Sequence, residues 1–379
     1  MPKNWKTYKL SEALEIKYGK DHKKVSDGDI PIYGTGGIMR FGNQFLYDDE
    51  SILIPRKGSL NNIYYLNKPF WTVDTLFWSK INKEIVFPKY LFYNLKILDF
   101  ANMDVGTAIP SLTTKLLNKI EVNIPPLPEQ KAIANILSTI DDKIENNLAV
   151  NKTLEDMAMA LYKHWFVDFE PFQDGEFIDS ELGLIPKGWE VKRLDDFALI
   201  LNSKRVPLST RQRSLRKGKF PYYGASGIID YIDDYLFDGE HIIISEDGEN
   251  LRSRKTPIAF RAVGKFWVNN HAHILRGKYN GIDQLIIAHI ANLEMNPYLT
   301  GAVQPKLNKQ NLLSIGIPYP QEDSIFQELL AKLYCLSRQI ISNNKENQSL
   351  TKLRGTLLLK LINGEVRLKE FQEEIENVM

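Results

Sequence analysis

The chain repeats itself at about half its length, and this sets its domain plan before any other feature is weighed. Pro2-Lys3-Asn4-Trp5 with Leu10 returns as Pro186-Lys187-Gly188-Trp189 with Leu194. Pro31-Ile32-Tyr33-Gly34-Thr35-Gly36-Gly37-Ile38 returns 190 residues later as Pro221-Tyr222-Tyr223-Gly224-Ala225-Ser226-Gly227-Ile228. Ile52-Leu53-Ile54 with Gly58 matches Ile242-Ile243-Ile244 with Gly248, again at 190, and Phe70-Trp71 matches Phe266-Trp267 at 196. Gly106 with Pro110 and Leu112 reappears as Gly301 with Pro305 and Leu307. Matches in one order with a slowly drifting offset mean two copies of one domain. Across 379 residues each copy is long enough to bury its own core.

Each copy has the same internal order. Short β-branched or aromatic runs bounded by Gly, Pro, Asn and Asp predict strands at Ser51–Pro55, Phe70–Trp78, His241–Ser245 and Phe266–Ile274. Helical stretches are predicted at Tyr90–Asn102 and Ile282–Leu293, and a Pro-rich exit closes each unit at Pro125-Pro126-Leu127-Pro128 and Pro318-Tyr319-Pro320. A 43% hydrophobic and 25% charged composition excludes a wholly disordered chain. The lone Cys335 excludes an internal disulfide and multi-cysteine metal sites. No apolar run reaches the roughly 18 residues of a membrane span, and the polar, basic start has no signal-peptide core, so a cytoplasmic location is expected.

A long helix follows each Pro-rich exit. Ile133, Leu137, Ile140, Ile144, Asn147, Asn151, Leu154, Ala158, Leu161 and Trp165 alternate in steps of four and three, a heptad seam sustained over more than four heptads. Adding 196 to each gives Leu329, Leu333, Leu336, Ile340, Asn343, Asn347, Leu350, Arg354, Leu357 and Leu361. Arg354 alone breaks the rule outside the asparagines, and Gly355 beside it predicts a looser second helix, since glycine costs about 1 kcal/mol in a helix interior.

Asparagine in a seam fixes register, because its amide needs a polar partner. Antiparallel pairing sets Asn147 opposite Asn347 and Asn151 opposite Asn343. A parallel pair would match Asn147 with Asn343, so polar matching alone permits both. Antiparallel packing is favoured because each helix follows its own globular domain, and parallel packing would crowd both domains at one end. The expected architecture is α+β: two globular α/β domains joined by two long helices in an antiparallel coiled coil, with a pseudo-twofold internal repeat. Its segments are a first domain at 1–127, a helix at 128–167, a linker and second domain at 168–319, a helix at 320–365 and a tail at 366–379.

The net charge of +1 offers no uniformly basic surface, yet the charges are segregated along the chain. Ser203–Lys219 carries Lys204, Arg205, Arg211, Arg213, Arg216, Lys217 and Lys219 without an acid. Asn250–Lys265 adds Arg252, Arg254, Lys255, Arg261 and Lys265, again without an acid, while Asp230–Glu249 holds eight acids and no Lys or Arg. Copy one has Arg56, Lys57 and Ser59 after a strand. Basic loops on a rigid domain suit phosphate contacts, with polar side chains among them available to base edges. The candidate DNA contacts are therefore Arg56, Lys57 and Ser59, and Lys204, Arg205, Arg211, Arg213, Arg252, Arg254 and Lys255.

Catalytic signals fail. The glycine segments lack the Lys-Ser/Thr of a phosphate loop and predict tight turns. Asn296-Pro297-Tyr298 and Asn123-Ile124-Pro125-Pro126 both miss an Asn-Pro-Pro-aromatic methyltransferase motif. Glu190-Val191-Lys192 repeats the domain start rather than building a nuclease site, and His271 and His273 face Thr75 and Phe77 in the other copy, which argues against metal ligands. No metal, cofactor or catalytic residue is expected in this chain.

At these residues a resemblance emerges. Trp165-Phe166-Val167-Asp168-Phe169-Glu170-Pro171, followed by Ser180-Glu181-Leu182-Gly183-Leu184-Ile185-Pro186-Lys187-Gly188-Trp189, resembles the central region of type I restriction-modification specificity subunits. Tyr222–Tyr231 and Ile244-Ser245-Glu246-Asp247-Gly248 resemble one class of that family's target recognition domains, and Pro125-Pro126-Leu127-Pro128-Glu129-Gln130 its lead-in to the conserved helix; copy two departs there with Pro318-Tyr319-Pro320-Gln321. The resemblance spans essentially the whole chain. It implies that each domain reads one half of an asymmetric bipartite site in double-stranded DNA and that the coiled coil sets the spacer. It also implies two methyltransferase subunits on the helices, modifying adenine N6 after base flipping, and motor-nuclease subunits joining them, with no chemistry in this chain. A coiled-coil adaptor that binds proteins without DNA specificity is the alternative.

Overall fold

The structure, a computed structural model, describes residues 2–103, 110–301 and 303–366. Gly106 of the repeat and nearly all of the expected tail lie outside the described residues. The chain divides into two compact units, residues 1–146 with 347–379, and residues 147–346. Each unit therefore takes one globular head plus part of both long helices, a division different from the linear one expected above.

In unit one, β1 (Lys6–Lys9) pairs with the late strand β9 (Glu121–Ile124). A four-stranded sheet runs in the order β2 (Leu14–Tyr18), β8 (Leu76–Ile81), β5 (Ser51–Pro55), β6 (Tyr64–Leu66). A three-stranded sheet runs β4 (Gly37–Gly42), β3 (Ile30–Gly34), β7 (Trp71–Thr72), with β3 and β7 parallel. Helix α1 (Pro88–Lys96) covers the larger sheet, burying Tyr90, Leu91, Tyr93 and Leu95. It starts on Pro88, whose ring presets a helical φ. It stops short of Asn102, which lies in a separate 3-10 turn, Phe100–Met103, where the Asp99 carboxylate accepts from the Asn102 amide and the Asn61 side chain.

Unit two repeats this plan. The short hairpin β10 (Phe177–Ser180) and β11 (Gly183–Pro186) precedes it. Then β12 (Trp189–Arg193) pairs with β20 (Gly316–Pro320). The large sheet runs β13 (Ala198–Ile200), β19 (Ala272–Gly277), β16 (Glu240–Ser245), β17 (Ala259–Val263). The small sheet runs β15 (Gly227–Ile232), β14 (Lys217–Gly224), β18 (Trp267–Val268), with the same parallel pair. Helix α2 (Leu127–Phe166) follows the first head, and α3 (Ile282–Asn292) is the counterpart of α1. Both glycine segments are two-residue hairpin turns, Gly34 opposite Gly37 and Gly224 opposite Gly227. Gly37 at φ 108° and Gly227 at φ 124° adopt backbone that side-chain-bearing residues avoid.

The long helices are α2 (Leu127–Phe166) and α4 (Asp323–Ile362). α4 runs unbroken through Gly355, so the looser segment expected there does not occur. Within unit one their segments run antiparallel. Ile133, Ala134, Leu137 and Ile140 join Leu357, Leu361 and Ile362 in the core of the head. Arg354 is satisfied by Asp141, which also accepts from the Tyr93 hydroxyl at 2.7 Å, so the break in the seam is a paired polar site. Asn347 donates to the Ile144 carbonyl at 3.3 Å.

Unit two shows the same antiparallel sense: Asn343 donates to Asn151 at 2.9 Å, Asn151 to Asn344 at 2.8 Å and Asn147 to Glu346 at 2.7 Å. The end of α2 enters the core of this head with Ala158, Tyr162 and Phe166, beside Leu329, Leu330 and Leu333 of α4. The run after α2 folds into an aromatic cluster. Phe166, Phe169 and Phe172 set their rings edge-on to Trp189 at 5.5, 5.3 and 5.0 Å, contacts worth about 0.5–1.5 kcal/mol each beyond simple burial. The quoted central motif is thus the joint that seats the helix end on its head.

Candidate DNA-recognition surfaces

In the first head, β5 ends at Pro55 and the chain enters an exposed loop, Arg56–Ser59. Backbone contacts hold it: Arg56 N and Lys57 N to Thr75 O at 2.8 and 3.3 Å, Gly58 N to Pro110 O at 3.1 Å, Leu112 N to Arg56 O at 2.9 Å, and a bridge between Lys57 and Ser111. Gly58 takes φ 89° to make the turn. The Arg56 guanidinium lies over the Tyr18 ring and donates to the Asp74 carbonyl at 3.1 Å, while Lys57 and Ser59 are exposed. Asn62 and Tyr64 tie this loop to the β3–β4 turn through the Thr35 carbonyl, at 3.1 and 2.9 Å. A cleft of about 710 Å³ opens beside that turn, lined by His22, Lys23, Thr35, Met39, Asp74 and Thr75.

In the second head, three of the seven candidate cations, Arg205, Arg213 and Arg254, are held within the head. Arg213 pairs with Asp230, Arg216 with Asp233 and Asp234, and Lys217 with Asp230. The β14–β15 hairpin sets the basic stretch against the acidic one, so charges segregated in sequence neutralise each other in space. Lysine and arginine hydrogen bonds hold the Asp230 carboxyl below its usual range. Arg205 is nearly buried against Glu246 at 2.8 Å and also donates to the Ala272 carbonyl. Arg254, in left-handed backbone at φ 48°, donates to the Ala291 and Leu293 carbonyls and so caps the C-terminal end of α3. The surface candidates in this head are Lys204, Arg211, Arg252 and Lys255, all exposed, with Arg252 also reaching the Gly301 carbonyl at 3.2 Å. Arg211 lies on a short helix, Thr210–Leu215, started by a Ser209–Gln212 capping box.

This makes a distinction that can be measured. Arg254→Ala should lower stability by about 1 kcal/mol, since charged donors to carbonyls are worth roughly 1.5–3 kcal/mol when buried and less here at the surface. It should leave the salt dependence of DNA binding by the assembled complex unchanged. Arg211→Ala should do the reverse, because each lost phosphate contact reduces the salt slope by about one. Thermal denaturation and binding titrations at several salt concentrations separate the two.

Sequence reasoning missed the counterpart of the Arg56 loop in head two. Glu246 N bonds His271 O at 2.9 Å, Gly248 N bonds Pro305 O at 3.1 Å, Leu307 N bonds Glu246 O at 2.8 Å, and Asp247 bridges Lys306. These reproduce four backbone contacts of the first loop, yet Arg56-Lys57 has become Glu246-Asp247. The 190-residue offset carried this signal, but a search for basic residues passes over acids.

A duplicated α/β head, followed each time by a long helix and presenting different side chains on the same loop, defines a paired recognition module. The family model for the type I restriction modification DNA specificity domain matches residues 2–156 and again 186–352, and the chain belongs to that family. It is similar to the type I restriction enzyme MjaIX specificity subunit of Methanocaldococcus jannaschii, 28% identical over 418 aligned positions covering 98% of this chain and 95% of the relative. It is also similar to a putative type I restriction enzyme specificity subunit of Haemophilus influenzae, S.HindORF215P, 39% identical over 131 residues covering 35% of this chain and 33% of that one. Among solved structures, the crystal structure of the type I restriction-modification S subunit from M. genitalium shares the fold at a TM-score of 0.60 and 20% identity, covering 94% of this chain and 96% of that one. Among the described residues, no helix is long and apolar enough to cross a membrane.

Proposed function

We propose that this chain gives a type I restriction-modification complex its DNA target, each head reading one half of an asymmetric bipartite site while the long helices set the spacer. The observation that carries this reading is the pair of heads with one strand order and different exposed side chains. Identical heads related by a pseudo-twofold would read a palindrome, whereas heads this different read unlike half-sites. Affinity comes from exposed cations such as Arg211, Arg252 and Lys255, and specificity from side chains at base edges.

Two methyltransferase subunits and the motor-nuclease subunits are the partners of this reading, and adenine N6 methylation and cleavage belong to them. One seat for a methyltransferase subunit is an open apolar groove of about 830 Å³ in unit two. It is lined from α2 by Met157, Ala160 and Leu161 and from α4 by Ala331, Cys335 and Leu336. Met157 is 51% exposed there, beside the other apolar residues of the groove wall. Mapping N6-methyladenine in cells with and without this gene tests the reading: one bipartite motif should lose its methylation. An unchanged methylation map would favour the protein-binding adaptor.

A further inference from the structure

The internal repeat acts as a built-in comparison, because two heads with one backbone can be read against each other position by position. At the loop after β5 and β16 the comparison yields an inversion. Lys57 corresponds to Asp247, Arg56 to Glu246, Thr75 to His271 and Ser111 to Lys306, on the matched backbone contacts given above. Beneath the loop, head one packs Tyr18 edge-on to Phe77 at 5.1 Å, with Arg56 over the Tyr18 ring. Strand register makes His273 the counterpart of Phe77, since Ile54 pairs with Phe77 and Ile244 with His273.

Head two fills that space with polar groups. Asn202 donates to His273 Nδ1 at 2.7 Å, and His273 Nε2 donates to the Leu307 carbonyl at 2.7 Å. Arg205 and Lys306 lie 2.8 and 3.5 Å from the Glu246 carboxylate. Burial pushes that carboxyl upward, but the Arg205 hydrogen bond and the neighbouring positive charges outweigh it and hold it below its usual range. His271 Nδ1 lies 2.8 Å from Asp247, fixing its side chain at the surface.

Such a network is not needed for folding, because head one closes the same sheet with two aromatic rings. Nearly buried ion pairs contribute little net stability over apolar packing. What the network does is let two carboxylates occupy a surface loop without net repulsion toward a polyanion, since Arg205 and Lys306 offset their charge. The side chains at the matched position differ in one chemical respect: head one offers the exposed Lys57 ammonium as a donor, and head two offers the half-buried Asp247 carboxylate, held by His271, as an acceptor.

We propose that Lys57 and Asp247 are equivalent base-reading positions of opposite hydrogen-bond polarity, Lys57 donating to guanine and Asp247 accepting from the exocyclic amino group of cytosine or adenine. This rests on the reading of each head as the reader of one half-site. In the major groove guanine presents O6 and N7 as acceptors, while cytosine N4 and adenine N6 are donors, so the two side chains select different bases from one loop position. Glu246 with Arg205, and His271, are positioning residues for Asp247.

The test uses the complex reconstituted with its methyltransferase subunits and a library of randomised DNA, with methylated sites read by sequencing. Asp247→Asn should relax discrimination about 10- to 100-fold at one base position of one half-site, leaving the other half-site and the spacer unchanged. Lys57→Gln should do the same at one position of the opposite half-site. Because the Lys57 side chain is exposed, this second variant keeps the test open should Asp247→Asn unfold. Methylation that falls evenly at all sites with an unchanged motif, or does not change at all, overturns the assignment of the loop. A wild-type complex that methylates no bipartite motif overturns instead the reading of the chain on which this inference rests.

Discussion

Aspartate placed at both Met157 and Ala331 is expected to weaken assembly with the methyltransferase subunit by at least about 100-fold, while the isolated chain keeps its thermal midpoint. The two residues lie on opposite walls of the apolar groove, one on α2 and one on α4, and both are exposed. Neither contributes to a core, so the folded chain loses nothing it had buried. A partner that seats an apolar surface in the groove would have to bury two unpaired carboxylates. At a cost of roughly 1–3 kcal/mol each, this gives a loss of about two orders of magnitude or more in affinity. Cys335 supplies a second readout. It is exposed on the groove wall. Its alkylation should be slowed by the methyltransferase subunit in the wild type and not in the double variant. Assembly of the double variant at wild-type affinity would remove the groove as the seat.

The second large effect is one of stability against pH. Tyr162, near the end of α2, donates its hydroxyl to Nδ1 of His289 on α3 at 2.7 Å, with both side chains buried. Burial pushes His289 down to about 4, only partly opposed by a backbone hydrogen bond at Gly316. Above the unfolded value of about 6.5 the imidazole is neutral in both states and contributes no slope. Between about 6.5 and 4 only the unfolded chain takes up the proton, so stability falls by about 1.4 kcal/mol per pH unit, some 3 kcal/mol in all, and levels off below 4. Urea unfolding at pH 7.5, 5.5 and 4.5 measures this, and His289→Gln should remove that part of the slope. Equal slopes in the two proteins would mean that His289 titrates normally and that the helix end is not anchored through a neutral imidazole.

Much of the fold was legible from the sequence, and for one reason. A repeat is a pattern that tertiary context cannot erase, so the offset of 190 to 196 residues located both heads and both helices before any residue was placed. Ser51–Pro55 and the start of α3 at Ile282 were read correctly because β-branched runs and flanking turn residues act locally. The end of α1 was misplaced because the helix breaks after Lys96 and the chain resumes as a 3-10 turn at Phe100–Met103, a boundary that local propensity does not mark. The recognition surface was harder. Linear charge counting treated Arg205, Arg213 and Arg254 as equals of Arg211, since sequence does not show that a hairpin will turn Asp230 toward Arg213 or that a helix end will recruit Arg254. The acidic loop at Glu246 was hidden by the same rule, because only its backbone partners reveal it as the twin of Arg56. The target bases stay unread for a physical reason: a side chain selects a base by its position in a groove, and no groove is specified by a single chain.

The most direct test of one head reading one half-site is an exchange. Residues of head two from β12 to β20 would be replaced by the corresponding head of a relative with a different target, and the methylated motif of the reconstituted complex would be sequenced. Two independent readers require that one half of the motif change to the donor's while the other half and the spacer stay as they were. A motif altered in both halves, or in neither, would contradict them.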